Sequence, residues 1–302
     1  MKKILTSRKI IYLGIFVVII QTFCGSLFDS TTKVLGSSNM IWYHYYTLGI
    51  GFALIFFLLY LFCTRGIRKH ILFENKKDYF LPLFRGITFI PVPIIIYYTL
   101  QKIPLNIFTP ILMTTPFFTY ICSNILQKEI ISFKYWIILL IGFSGTILVA
   151  KPSFFQTNPF IFLVFFVCIY NATTFVIVSK FASKATTFGY SFYHVLPITL
   201  FSFIIFLFDP IFLSLREIIL VLIGGSLLLT CILLYTYAFH IVGKHTRIIG
   251  PFFFTQLIWA AIFGNIFFGE VLDLLSILGI LIIVFSGTLT IFNTPSANQK
   301  LL

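Results

Sequence analysis

The chain alternates long apolar runs with short polar or charged interruptions. Runs such as Ile10 to Ile20 and Phe52 to Phe62 are nearly continuous, without the strict alternation of a barrel strand. A membrane-crossing helix needs about 20 mostly apolar residues, and only helices satisfy their own backbone in such segments. The pattern predicts ten spans, at 10–30, 40–63, 79–100, 103–126, 132–150, 159–179, 188–208, 218–242, 246–268 and 271–292. Each is bounded by charge, Pro, Gly or a polar cluster. The basic N-terminus followed by an apolar stretch resembles a signal peptide. That stretch is too long, however, and no small-x-small cleavage site follows, so it reads as the first span, uncleaved.

Composition agrees. Of 302 residues, 59% are hydrophobic and 10% charged, against about 25% charged in ordinary soluble domains. So few charges cannot cover a soluble surface of this size, and 40 Phe residues add to the apolar load. The reading is an all-α integral membrane protein without room for a large soluble domain. The cysteines (Cys24, Cys63, Cys122, Cys168, Cys231) are scattered singly in apolar runs, which points to packing rather than to zinc or disulfides. No His or carboxylate pair has metal-ligand spacing, and no phosphate-cradling Gly-x-x-x-x-Gly-Lys-Ser/Thr motif occurs. Neither a metal nor a cofactor is expected.

The net charge of +13 changes the picture only through its placement. With ten spans, one side of the membrane receives 16 Lys and Arg residues, among them Arg65, Arg68, Lys69, Lys76, Lys77, Lys128, Lys134, Lys180 and Lys184. The other receives four, Lys33, Lys102, Lys151 and Arg216, and Arg85 lies within a span. Cytoplasmic loops carry the excess of positive charge, so both termini are expected in the cytoplasm. The charge is an orientation signal, not a nucleic-acid footprint.

The chain also superposes on itself. A shift of 141 residues places Pro110 on Pro251, Asn124 on Asn265 and Glu129 on Glu270. One extra loop residue then aligns Phe143-Ser144-Gly145-Thr146 with Phe285-Ser286-Gly287-Thr288. Spans 3–5 therefore repeat as spans 8–10. Two repeats of five spans, 1–153 and 154–302, enter the membrane in opposite orientations. Inverted repeats of this kind are typical of secondary transporters, with substrate sites near the midplane at the repeat interface.

Several stretches carry a family resemblance: Arg85-Gly86, the run Tyr97-Tyr98-Thr99-Leu100-Gln101-Lys102-Ile103-Pro104-Leu105, Lys128-Glu129, Gly142-x-x-Gly145-Thr146 and Gly269-Glu270. Together with the repeat, they make the chain similar to the drug/metabolite transporter superfamily, specifically its ten-helix members built from two EamA-type repeats. The resemblance implies a central cavity between the halves, chiefly among spans 1, 3, 4, 6, 8 and 9. It implies a small-molecule substrate. Where many members carry an Arg in span 2, this chain reads His44-Tyr45-Tyr46-Thr47, so an anionic substrate is not implied at that position.

Polar residues inside spans are the candidate chemistry. By the rise of about 1.5 Å per residue, Gln21, Asn171 and Gln256 fall near the midplane, with Thr114, Thr115 and Thr230 at similar depth. These line the substrate site, or they join helices by hydrogen bonds. Arg85 either snorkels to the cytoplasmic interface or anchors a carboxylate or phosphate. Asp29 ends span 1 and His44 begins span 2, a pair that could couple transport to protons; solvated interface residues are the plainer reading. Pro110 and Pro251 are candidate hinges at matching places in the halves. Glu129 and Glu270 read as structural groups ahead of spans 5 and 10, and His194 and His240 as interfacial. The expectation is a secondary or facilitative carrier of a small polar or amphipathic metabolite, amino-acid-like or similar, in a bacterial inner membrane, as a monomer or homodimer. Protons are possible co-partners. The alternative is an intramembrane enzyme acting on a lipid-linked substrate, for which no nucleophile–base constellation is visible.

Overall fold

A computed structural model describes residues 2–35, 40–73, 75–100, 102, 111–150, 159–269 and 273–293; Pro110 and Glu270 lie outside them. All regular structure among the described residues is helical. The principal helices are α1 (Lys2–Leu35), α2 (Trp42–Cys63), α3 (Lys76–Thr99), α4 (Thr115–Gln127), α5 (Phe133–Ala150), α6 (Phe160–Lys180), α7 (Thr187–Phe206), α8 (Leu215–Val242), α9 (Gly250–Phe268) and α10 (Leu274–Phe292). All but α4 and α5 are long and apolar enough to cross a membrane. Their ends fall within a few residues of the expected spans. The exception is α1, which continues to Leu35. No Pro or Gly interrupts it between Gly25 and Gly36.

Local chemistry explains the irregular points. In α3 the helix breaks at Ile90, before Pro91, because the proline ring has no N–H to continue the ladder. In α2, Tyr46–Ile50 form a π turn, a widening that often accompanies functional sites. Pro251 lies in a 3-10 turn, Gly250–Phe254, that opens α9. It therefore starts the span rather than bending its middle. Ser214 and Glu217 form a reciprocal capping box at the start of α8. Asp273 caps α10 by accepting from the Ser276 N–H at 3.1 Å.

The helices pack in a definite set of pairs. α1 lies against α8 and α9, α6 against α3 and α4, α2 against α8, α3 against α7, and α5 against α10. Small residues set the closest approaches, as expected where lipid supplies no hydrophobic drive between helices. A β-carbon added to Gly145 would stand 2.7 Å from the Gly279 carbonyl oxygen, and the reverse substitution meets the Gly145 oxygen at 2.7 Å. The α5–α10 crossing is therefore backbone on backbone. Around the bundle, Phe16, Phe56, Phe62, Phe162, Leu200 and Ile266 are exposed. An apolar exterior this extensive belongs in lipid.

Candidate functional site

Two polar groups of side chains sit inside the bundle. The first lines α1 where it meets α8 and α9. Gln21, Thr22, Gly25, Ser26 and Asp29 recur at helical spacing and face inward, all of them buried except Asp29. The Thr22 and Thr255 hydroxyls are 2.7 Å apart, and Gln256 Nε2 donates to Asp29 Oδ2 at 3.0 Å. The Cys231 thiol points at the Gln21 carbonyl oxygen, 3.5 Å away. Gln21 Oε1 and Ser26 Oγ are buried without a partner. Buried polar atoms with free hydrogen-bonding capacity are costly, and such atoms are suited to receive a polar ligand.

Asp29 has Tyr45 of α2, Cys231 of α8 and Gln256 of α9 within electrostatic or hydrogen-bonding reach. It nevertheless remains exposed, and Tyr46 and Tyr235 are half-buried.

The second group centres on Arg85 of α3. Its side chain is 2% exposed, so it does not snorkel. Nη2 donates to the Tyr235 hydroxyl at 3.0 Å, and Nη1 donates to the Tyr190 carbonyl at 3.3 Å. The Tyr235 ring lies with its centroid 5.7 Å from the guanidinium carbon. Tyr170 of α6 donates to the Arg85 backbone carbonyl at 2.7 Å, which anchors that turn of α3. His194 is buried beside it, its ring tilted against Phe89 with centroids 4.2 Å apart, with Nδ1 unpartnered. His194 is therefore interior, a correction to the interfacial expectation: it lies two turns into α7, on the face that meets α3.

Toward the Lys- and Arg-rich end, the interior is closed. Phe175, Phe239 and Phe253 stack at 4.7 to 5.9 Å, within an apolar cluster that includes Ile11, Ile15, Tyr190 and Ile248. Polar ties surround that layer. The Tyr190 hydroxyl donates to the Phe181 carbonyl at 2.7 Å, and His240 contacts Thr187 Oγ1 at 2.8 Å and the Ala182 carbonyl at 2.7 Å. Gln127 donates to Ser179 at 2.9 Å, and Ser179 donates to the Gly243 carbonyl. Buried Glu129 accepts from Thr246 at 2.9 Å, tying the chain after α4 to the turn before α9.

The other expected residues are distributed as follows. Asn171 is half-buried on the face of α6 that carries Val164, Val167, Cys168, Phe175 and Val178. Thr114 and Thr115 are half-buried, but their hydroxyls donate to Ile111 and Leu112 carbonyls at 2.6 Å. Thr230 lies on the exposed stripe of α8 with Ile219, Ile223, Ser226 and Tyr237, its hydroxyl returned to the Ser226 carbonyl at 2.7 Å. It faces away from the interior, because Gly224 and Cys231 hold the side that meets α1. Asp29 and His44 do not meet. Asp29 lies within α1 and turns to Gln256, whereas His44 contacts the Asp209 carbonyl at 2.8 Å and Tyr43 donates to the Asp209 carboxylate. Of the tyrosines around Arg85, Tyr235 reads from sequence as an aromatic-belt or gate residue at the inner end of its span, whereas Tyr170 and Tyr190 escaped sequence reading. The signal for those two was faint, since both sit inside spans.

A helical bundle with a lipid-compatible exterior and buried polar side chains defines an integral membrane protein. Residues 11–151 and again 158–292 match the model of the EamA-like transporter family, and the chain belongs to that family. It is 25% identical over 291 residues to an uncharacterized transporter of Helicobacter pylori (strain ATCC 700392 / 26695), covering 93% of this chain and 95% of that one. A solved crystal structure at 16% identity superposes with a TM-score of 0.69, covering 92% of this chain and 94% of its own. That likeness is one of fold.

Proposed function

We propose that the protein is a secondary carrier that moves a small polar or amphipathic metabolite, amino-acid-like or similar, by alternating access. The observation that carries this reading is the set of buried, incompletely paired polar atoms on α1, α3 and α7, with the Asp29 carboxylate left exposed on the polar face of α1. Gln21, Arg85, Asn171 and Gln256 are the substrate-binding candidates, with Asp29 the candidate for proton coupling.

The helix pairs support two inverted five-helix halves, 1–153 and 154–302. Advancing each helix number by five, and counting past ten back to one, turns α1–α9 into α6–α4, α1–α8 into α6–α3, and α2–α8 into α7–α3. It returns α5–α10 to itself. All of these pairs occur. Such a pseudo-twofold gives two equivalent packings, one open to each side. The placement of Lys and Arg supports cytoplasmic termini in a bacterial plasma membrane. In that orientation the aromatic layer of Phe175, Phe239 and Phe253 closes the cytoplasmic side, and the exposed Asp29 suits an outward-facing state.

The test is reconstitution in liposomes with a labelled metabolite panel, with and without an imposed proton gradient. A carried compound is expected, with uptake reduced at least tenfold by Gln21→Ala or Gln256→Ala, on the order of one lost buried hydrogen bond with its desolvation penalty. If no compound is carried and none shifts the melting temperature, the carrier reading fails.

A further inference from the structure

Arg85 is a buried cation, and no carboxylate stands within ion-pair distance of it among the described residues. Its two hydrogen bonds go to neutral oxygens. A guanidinium carries five N–H donors in a rigid fork, and Nε has no partner at all. Burying a cation this way is costly, and neutral partners recover that cost only in part. Intramembrane arginines pair with carboxylates or with backbone carbonyls; Arg85 has one such carbonyl, that of Tyr190, and keeps an unused Nε donor. The fork therefore retains capacity for an anionic ligand.

The surroundings indicate how it arrives. Of the two groups bound to the fork, the Tyr190 carbonyl is backbone and immobile, whereas the Tyr235 hydroxyl is carried on a half-buried side chain. Tyr235 and Tyr46 lie within electrostatic reach of each other. Tyr235 is thus the more exposed of the two residues that hold the fork. Rotation of that one ring would uncover Nη2 to a ligand, near the unpartnered Nδ1 of His194.

Resting on the carrier reading above, we propose that Arg85 is the anion anchor of the transport site, that the Tyr235 hydroxyl occupies it in the empty state, and that the substrate is a monocarboxylate whose carboxylate replaces that hydroxyl. A single guanidinium neutralises a single negative charge, and its fork matches a planar carboxylate with two parallel bonds. A phosphate dianion would keep an unpaired charge. The aromatic walls of Tyr46, Tyr235 and Phe89 suit an apolar body on the ligand.

The experiment uses the full-length protein in nanodiscs at pH 7, with acetate, benzoate and a wider set of monocarboxylates as probes, benzamide as the neutral match and terephthalate as the dianion. Melting temperature and calorimetric affinity are the readouts. At least one monocarboxylate is expected to raise the wild-type melting temperature in a saturable way, with no effect from the neutral amide. Arg85→Gln should abolish that shift while its ligand-free melting temperature stays level or rises, because an uncompensated buried cation has been removed. Arg85→Lys should bind about tenfold more weakly, having lost the fork, and Tyr235→Phe should bind more tightly. The proposal is overturned if no monocarboxylate shifts the wild type, if amide and acid act alike, or if Arg85→Gln keeps the shift. A sharp fall in the ligand-free melting temperature of both Arg85 variants would also overturn it, by making the residue structural. Arg85-dependent binding without transport in liposomes would remove the carrier reading and leave the anchor. Transport that is unchanged in Arg85→Gln would do the reverse.

Discussion

Replacing Gly225 by Ala separates what holds α2 to α8 from ordinary helix propensity. A β-carbon at Gly225 would stand 2.1 Å from the Gly49 carbonyl carbon, 2.3 Å from its oxygen and 2.5 Å from its Cα. Ordinary contact begins at 3.4 Å, so the pair must open by about 1.3 Å, the difference between 3.4 and 2.1 Å. The obstructing atoms are backbone within a π turn and cannot rotate away. Overpacking of this kind costs about 1–3 kcal/mol, and an obstruction made of backbone belongs at the upper end. Opening also displaces Tyr45 and Tyr46, one turn before Gly49, from Asp29 and Tyr235, which lie within their electrostatic reach. The expected outcome is a melting temperature lowered by several degrees in nanodiscs, together with reduced uptake in proteoliposomes. Gly269→Ala is the control: it is left-handed, with φ +67° and ψ +20°, and nothing stands within 4 Å of the new carbon. Only conformational strain applies there, about 1–2 kcal/mol. If Gly225→Ala melts within a degree of the wild type, or no lower than Gly269→Ala, the close backbone contact does not determine this packing.

Two further outcomes are expected. Asp29→Asn keeps the hydrogen-bonding shape toward Gln256 but removes the charge, so it should abolish gradient-driven uptake and leave counterflow; an unchanged pH dependence of uptake would exclude Asp29 from coupling. His70, in the turn Ile67–His70, is held below its ordinary value near 6.5, first by burial and then by the Lys69 charge. The folded chain therefore binds that proton less readily than the unfolded chain, so stability is complete above about pH 6.5 and declines as pH falls below it. Its Nδ1 lies 3.0 Å from Thr186 Oγ1, which caps α7, so protonation competes with that contact. Melting temperature should fall between pH 7 and 5.5, and His70→Gln should reduce the slope; equal slopes would discount the group.

Much of the helical layout was legible in the sequence because span length and polarity are local properties. The apolar runs located the ends of eight long helices to within a few residues. The one clear misjudgement, at the end of α1, came from reading Asp29 and the polar residues after it as a boundary. A carboxylate can remain within a helix when it faces an interior amide, and nothing local reveals that Gln256 is there. Gln21 and Gln256 could be selected by depth, since depth follows from counting residues. Thr230 could not be judged that way: depth along a helix does not say which side of the helix is outward. That depends on which neighbour packs against Gly224 and Cys231.

The sequence by itself determined that the chain is a membrane bundle, where its long helices run, that its halves are related and which few polar residues lie deep. Those features depend on hydrophobic length, charge counts and spacing along one chain. Only the tertiary structure decided that Asp29 turns to Gln256 and His44 to Asp209, that Thr230 faces outward, and that Arg85 is surrounded by Tyr170, Tyr190, His194 and Tyr235. These contacts join residues more than 80 positions apart. Helix packing chooses them through the backbone approaches at Gly49, Gly145, Gly225 and Gly279, a choice that no local pattern encodes.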